Sequence, residues 1–317
     1  MLCFTGLRSY VFLGLTLAAT TRAATYSVTD TFQGTAFFND FDYEAIADPT
    51  HGLVDYVDLA DAQSLGLATV SGNNFFLRAD HTTTLTNGAG RKSVRIQSKK
   101  QWDNHVSVYN VLHMPQGCGT WPAIWENGNN WPNGGEIDIV EGVNDVTPDA
   151  TTLHTSAGCT MASSRSMTGT ATGTDCNAAA NGNAGCGVHI SDANSYGPAF
   201  NANGGGWYAM ERTDTFVKVW FWQRTDSSVP ADVKNGASSI NTSNWGTPDA
   251  YFPNTSCDIG SKFGPANIII NLTFCGDWAG AVYSSNGCPS TCTDYVSNNP
   301  SAFSNAFFEI GSIHVYQ

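Results

Sequence analysis

The stretch WPNGGEIDIVEGVND, Trp131 to Asp145, carries three acids, Glu136, Asp138 and Glu141, inside an apolar β-type run of Ile137, Ile139 and Val140. Like charges that close repel, and burying any of them unpartnered is costly. Side chains alternate faces along a strand. Glu136 and Asp138 therefore share one face, while Ile137 and Ile139 take the other, toward a core. Strict alternation would return Val140, not Glu141, to the acidic face. One extra residue, a β-bulge at Ile139 or Val140, brings Glu141 back to it. The pattern E-x-D-x-x-E thus predicts a strand with an apolar core face and three carboxylates on an open face.

Similar runs extend on both sides of this strand. Alternating, β-branched and aromatic segments recur between Gly, Asn, Asp and Pro clusters: NNFFLRAD, SVRIQSK, HVSVYNVLHM, FVKVWFWQR, NIIINLTF and the terminal FFEIGSIHVYQ. Helical periodicity is nearly missing. The pattern is that of an all-β sandwich. No Pro/Ser/Thr hinge or charge block divides the chain, so residues 24–317 are expected to form a single domain. From 155 to 206 the chain is rich in Ala, Gly, Asn, Ser and Thr. A loop of that length in a compact domain is functional or disordered, and its three cysteines, Cys159, Cys176 and Cys186, favour an ordered, stapled loop. The glycines of NGGGW (203–207) lack the following Lys and the strand-to-helix setting of a phosphate cradle.

The first 23 residues combine Arg8, an apolar run from Tyr10 to Ala19 and small residues near Ala23, the pattern of a secretory signal peptide. The apolar run is too short to span a bilayer, and no other long apolar run follows, so the expected product is a secreted, extracellular, soluble chain without a membrane partner. Removing the leader takes Arg8 and Arg22 and no acid, so 14 basic residues against 27 acidic become 12 against 27. That balance argues against nucleic acid, whose phosphates require cationic partners, and disfavours anionic polysaccharides. Cys3 leaves with the leader. The remaining eight cysteines, an even number in a secreted chain, predict up to four disulfides of undetermined pairing. Sequons at Asn241, Asn254 and Asn271 agree with secretion, although Asn271 lies in a strand-like apolar run and is not expected to carry a glycan.

Two glutamates on one open face suit glycosidic bond cleavage. One attacks the anomeric carbon or activates water, and the other protonates the leaving oxygen. A carboxylate between them, Asp138, holds a shared proton or hydrogen bond and separates their pKa values.

The acid-bearing segment resembles the active-site strand of glycoside hydrolase family 16, and the chain is similar to the secreted fungal laminarinases of that family. The resemblance rests on ADPTHGLVDYVD, LRADHTTTL, SVRIQS, HMPQGCGTWPAIWE, the acidic stretch itself, TLHTSAGC, NANGGGWYAMERT, FPNTSCDIGSKF, NIIINLTFCGDWAG and NPSAFSNAFFEIGSIHVYQ, from Ala47 almost to the end. It implies a concanavalin-like β-jelly-roll of two curved antiparallel sheets with a substrate groove on the concave face. It implies endo-β-1,3(4)-glucanase activity on β-1,3-glucan and mixed-linkage β-1,3-1,4-glucan, with retention through a covalent intermediate. Glu136 matches the nucleophile, Glu141 the general acid/base and Asp138 the intervening aspartate. The bulged form is the laminarinase type; the lichenases and cell-wall transglycosylases of the family carry an unbulged E-x-D-x-E. Transfer to a sugar acceptor and a non-catalytic, lectin-like glucan-binding module remain the alternatives. A monomer without cofactor is expected, and no metal in the mechanism.

Further candidates line the groove. Trp125 and Trp131, in WENGNNWPNGG, read as loop residues whose flat rings suit the apolar faces of sugars. Asp277 and Trp278 follow an apolar strand and read as a rim. His154 lies on the strand expected beside the acids, where it would bond Glu141 or the sugar near it. Arg95 alternates with Val94 and Ile96 and faces away from the core, toward a sugar hydroxyl by resemblance. Tyr56 and Asp58 would border far subsites, whereas His113 and Met114 read as structural.

Overall fold

A computed structural model describes residues 25–86 and 88–317. The leader therefore lies outside the described residues. Two large antiparallel sheets face each other. The nine-stranded sheet runs, edge to edge, Ser239–Asn241, Thr25–Phe32, Phe307–Tyr316, His105–His113, Gly206–Arg212, Phe216–Gln223 and Ala250–Pro253, with Asn74–Arg78 and Ala68–Ser71 branching from the Phe307 strand. The eight-stranded sheet runs Thr170–Ala171, Val188–His189, Ala150–His154, Glu136–Glu141, Thr120–Gly128, Ala266–Phe274, Arg95–Ser98 and Phe41–Tyr43. This is the expected all-β jelly roll. Helices are short, and among the described residues none is long and apolar enough to cross a membrane.

Alternation builds the layers. In Ala266–Phe274, Ile268 and Ile270 enter the core between the sheets, while Ile269 and Asn271 turn to the opposite, open face. Ile96, Ile124, Ile137 and Leu153 meet Tyr109, Tyr208, Met210, Val219 and Ile313 from the other sheet. A second cluster, with Trp207, Trp220, Trp222 and Trp245, fills the outer side of the nine-stranded sheet. The inter-sheet core also contains an acid: Glu126 sits 2.9 Å from His105 Nε2, both fully buried.

Among the described residues all eight cysteines pair, as Cys118–Cys288, Cys159–Cys257, Cys176–Cys186 and Cys275–Cys292. The long segment from 155 to 206 is ordered and stapled as expected. It contributes the edge strand Thr170–Ala171, its neighbour Val188–His189 and the helix Gly197–Ala202.

Candidate active site

The acid strand, Glu136–Glu141, pairs with Ala150–His154 on one side and Thr120–Gly128 on the other. Against the latter, Asp138 lies opposite Trp125 and Val140 opposite Ile124, so the register slips by one at Ile139. The bulge falls where the spacing of the acids requires it. Ile139 and Val140 are both buried in the core. The slip lets two consecutive apolar residues point inward and returns Glu141 to the open face beside Glu136 and Asp138.

Each glutamate receives an indole N–H. Trp131 Nε1 donates to Glu136 Oε2. Trp121 Nε1 donates to Glu141 Oε1 at 2.7 Å. Asp138, between them, is 2 % exposed. Its Oδ2 lies 3.2 Å from His154 Nε2, an ion-pair contact without good hydrogen-bond alignment. The other ring nitrogen of His154 lies 2.8 Å from Asn183 Oδ1. Asn183 stands in the loop pinched by Cys176–Cys186. At Gly185, φ is +63° and an added Cβ would stand 2.8 Å from His154 Cε1, so only glycine lets this loop approach the ring.

The electrostatics follow from this crowding. Part of each glutamate carboxyl opens to the groove, but the walls desolvate it. Burial first, and then the charge of Asp138, raise the pKa of Glu136 and Glu141, while the two indole donors oppose the rise. Burial alone would lower His154. Asp138, Glu136 and Glu141 outweigh it and raise the imidazole to about 10. His154 is therefore a cation at neutral pH, compensating the acids around it. Glu136, Asp138 and His154 place one donor atom each within 4.8 Å of one another. With its imidazole protonated the cluster is a hydrogen-bonding and charge-balancing group, and ligating a metal would require the ring to give up that proton.

Trp125 belongs to the strand Thr120–Gly128 and not to a loop, a correction to the reading of WENGNN. The hairpin turn begins only after Gly128, because Asn and Gly at the end of the run supply the turn while the preceding residues pair on both sides. Trp125 still faces the groove, opposite Asp138. Its Nε1 donates to Asn271 Oδ1 at 2.8 Å, and the Arg95 guanidinium lies 4.9 Å from its ring centroid. Arg95 is on the groove face as expected, yet it is 8 % exposed and its Nε lies 2.6 Å from Glu44 Oε2. It braces the groove floor.

Trp131 is in the turn and 44 % exposed, free to stack on a sugar. Trp278 lies half-buried on the turn Gly276–Gly280 and meets Trp121 edge to face at 5.7 Å. His154 contacts Asp138 and pairs across the ladder with Glu136, not with Glu141. Tyr56 is buried and its hydroxyl accepts from Asn271 Nδ2 at 3.1 Å. Asp58 is a helix N-cap, accepting from the Asp61 amide at 2.9 Å, so its role is structural. His113 stacks on Phe307 at 3.9 Å and Met114 is fully buried; both are structural as read.

Four contributors escaped the sequence reading. Trp121 shares face parity with Trp125, which was a usable signal. Asn271, a polar residue at the outward position of an apolar strand, was another. Asn183, against His154, and Asp149, bonded to the Glu141 N–H from behind, come from separate loops and leave no local signal.

A search for known relatives places this geometry among enzymes. The family model of the XgeA-like catalytic domain of glycoside hydrolase family 16 matches residues 41–316. A "Probable glycosidase" of Schizosaccharomyces pombe is 46% identical over 300 residues, covering 93% of this chain and 70% of that protein. A "Probable endo-1,3(4)-beta-glucanase" of Aspergillus fumigatus is 44% identical over 307 residues, covering 93% of this chain; the chain spans only 46% of that relative's length. The solved laminarinase 16A of Phanerochaete chrysosporium, with 6-O-glucosyl-laminaritriose in its donor and acceptor sites, is 60% identical with a TM-score of 0.92, covering 93% of this chain and 100% of that one. A solved elongating β-1,3-glucosyltransferase of the same family is 40% identical with a TM-score of 0.86, covering 92% of this chain and 100% of that one. With the family model matching residues 41–316, nearly all of the sandwich and its acid strand, the chain is a glycoside hydrolase and belongs to family 16.

Proposed function

We propose that the protein is a secreted endo-1,3(4)-β-glucanase of laminarinase type, acting with retention on internal bonds of β-1,3-glucan and mixed-linkage glucan. One observation carries the reading: Glu136 and Glu141 share an open face, each oriented by its own tryptophan, with the Asp138–His154 pair between them. Glu136 attacks the anomeric carbon and forms the glycosyl ester while Glu141 gives its proton to the leaving oxygen. Water, deprotonated by Glu141, then releases the sugar and restores the Glu136 carboxylate. Asp138, backed by His154, responds to the changing charge of Glu136. The relatives named as endo-1,3(4)-β-glucanases and the laminarinase that holds a branched laminarioligosaccharide support the substrate class. Four disulfides support secretion. Glycans are assigned to Asn241 and Asn254, since Asn271 is 7 % exposed with its amide engaged.

Product sizing on laminarin, barley β-glucan and carboxymethylcellulose tests the reading, with Glu136→Gln as control. Oligosaccharides should appear from the first two only, and the variant should lose on the order of 10⁴-fold or more in kcat. Wild-type activity in that variant would sink the assignment. Transfer is the second reading, favoured by the likeness to the elongating glucosyltransferase. It shares the intermediate but hands it to a sugar, and longer products from a labelled acceptor would identify it.

A further inference from the structure

Past the bulge Glu141 stays registered with Ala123 on one side but has no ladder partner on the other. Ladder pairing between the acid strand and Ala150–His154 ends at Asp138 and Thr152. Beyond that point side chains replace the backbone partners. Thr151 Oγ1 donates to the Ile139 carbonyl at 3.3 Å, and Asp149 Oδ1 accepts the Glu141 N–H at 2.8 Å. Asp149 is fully buried and cannot reach the groove. Its own backbone is fixed, its N–H donating to Ser195 Oγ at 3.0 Å and its carbonyl accepting the Ile190 N–H at 3.0 Å. Its second oxygen, Oδ2, is buried without a hydrogen-bond partner. The Tyr196 ring seals the same place, for a Cβ on Gly142 would lie 2.5 Å from it.

A buried acid with one oxygen on the proton donor's backbone and the other unpartnered is expensive to maintain for stability alone. We infer that Asp149 is a positioning residue for Glu141: it sets the backbone of the proton donor on the side where ladder pairing with Ala150–His154 has ended, and so aims its carboxyl at the leaving oxygen. The inference rests on Glu141 being the general acid. Burial also pushes the Asp149 carboxyl upward, consistent with a neutral partner that adds no charge behind Glu141.

The test compares laminarin, whose sugar leaving group needs protonation, with a dinitrophenyl β-laminaribioside, whose leaving group does not. The burst of dinitrophenolate reads the glycosylation step. Asp149→Ala should lower kcat on laminarin by about 10- to 100-fold with little change in KM, and leave the burst rate within about threefold. Asp149→Asn keeps the accepting oxygen and should restore laminarin activity to within about threefold of wild type. Should the alanine variant not fold, Ser195→Ala loosens the Asp149 backbone and should give the same substrate asymmetry, about tenfold on laminarin alone. Equal losses on both substrates, no loss on laminarin, or failure of Asn to rescue would each overturn the inference. Glu141→Ala separates the two levels of argument. If it retains laminarin activity, the general-acid assignment fails; if it shows the asymmetry and Asp149→Ala does not, only the role of Asp149 fails.

Discussion

At the scale of single residues, burial and Asp138 raise both glutamates, and the two indoles and His154 oppose that rise. Trp121 Nε1 donates to Glu141 at 2.7 Å. A hydrogen bond to a charged group contributes about 1.5–3 kcal/mol. Trp121→Phe keeps the ring that meets Trp278 but loses the donor, so kcat on laminarin should fall about tenfold or more with KM nearly unchanged; an unchanged kcat would remove Trp121 from the machinery. His154 supplies a pH prediction. Its folded pKa, about 10, lies above the ordinary 6.5. The protonated ring therefore stabilises the fold fully below pH 6.5, and that contribution fades as pH rises through about 10. Denaturant melts of wild type and His154→Asn should differ most near pH 6 and converge at alkaline pH. A gap that widens with pH would refute the ion pair with Asp138.

At the scale of elements, the acid strand depends on pieces that arrive from elsewhere. The Cys176–Cys186 bridge, spanning 10 residues, pinches the loop that presents Asn183 to His154. Replacing both cysteines by serine should cost about 2–3 kcal/mol of stability through chain entropy. It should also lower activity in the fully folded protein, because Asn183 loses its fixed approach to the imidazole. Denaturant melts and kinetics on the same preparation check this, and a stability loss without an activity loss would separate the bridge from the site. The strand and its bulge were legible in the sequence, since E-x-D-x-x-E admits three acids on one face only with a slip near Ile139. Trp125 was misplaced into a loop because Asn and Gly nearby mimic turn chemistry, whereas pairing on both sides keeps the backbone extended.

At the scale of the whole molecule, two bridges close long stretches of chain, Cys118–Cys288 across 170 residues and Cys159–Cys257 across 98. Loop entropy assigns each on the order of 4–5 kcal/mol, comparable with the whole net stability of a typical domain, about 5–15 kcal/mol. The fully reduced and alkylated chain should therefore remain unfolded in plain buffer. Near-UV circular dichroism reads this directly, and a native-like spectrum would show that the two sheets hold without their staples.

The sequence by itself determined the class of fold, the open and buried faces of the acid strand, the need for a bulge, the eight cysteines of residues 24–317 and the two glutamates brought to one face. These are short-range properties, encoded in a period of two along a strand and in the repulsion of neighbouring charges. Only the tertiary structure decided which cysteines pair, that His154 contacts Asp138 rather than Glu141, that Arg95 is held by Glu44 beneath the groove, that Trp121 and Asp149 bond Glu141, and that Asn183 bonds His154. Those contacts join residues distant in sequence, brought together by sheet order and loop closure, and local alternation carries no record of which distant side chain a strand will meet.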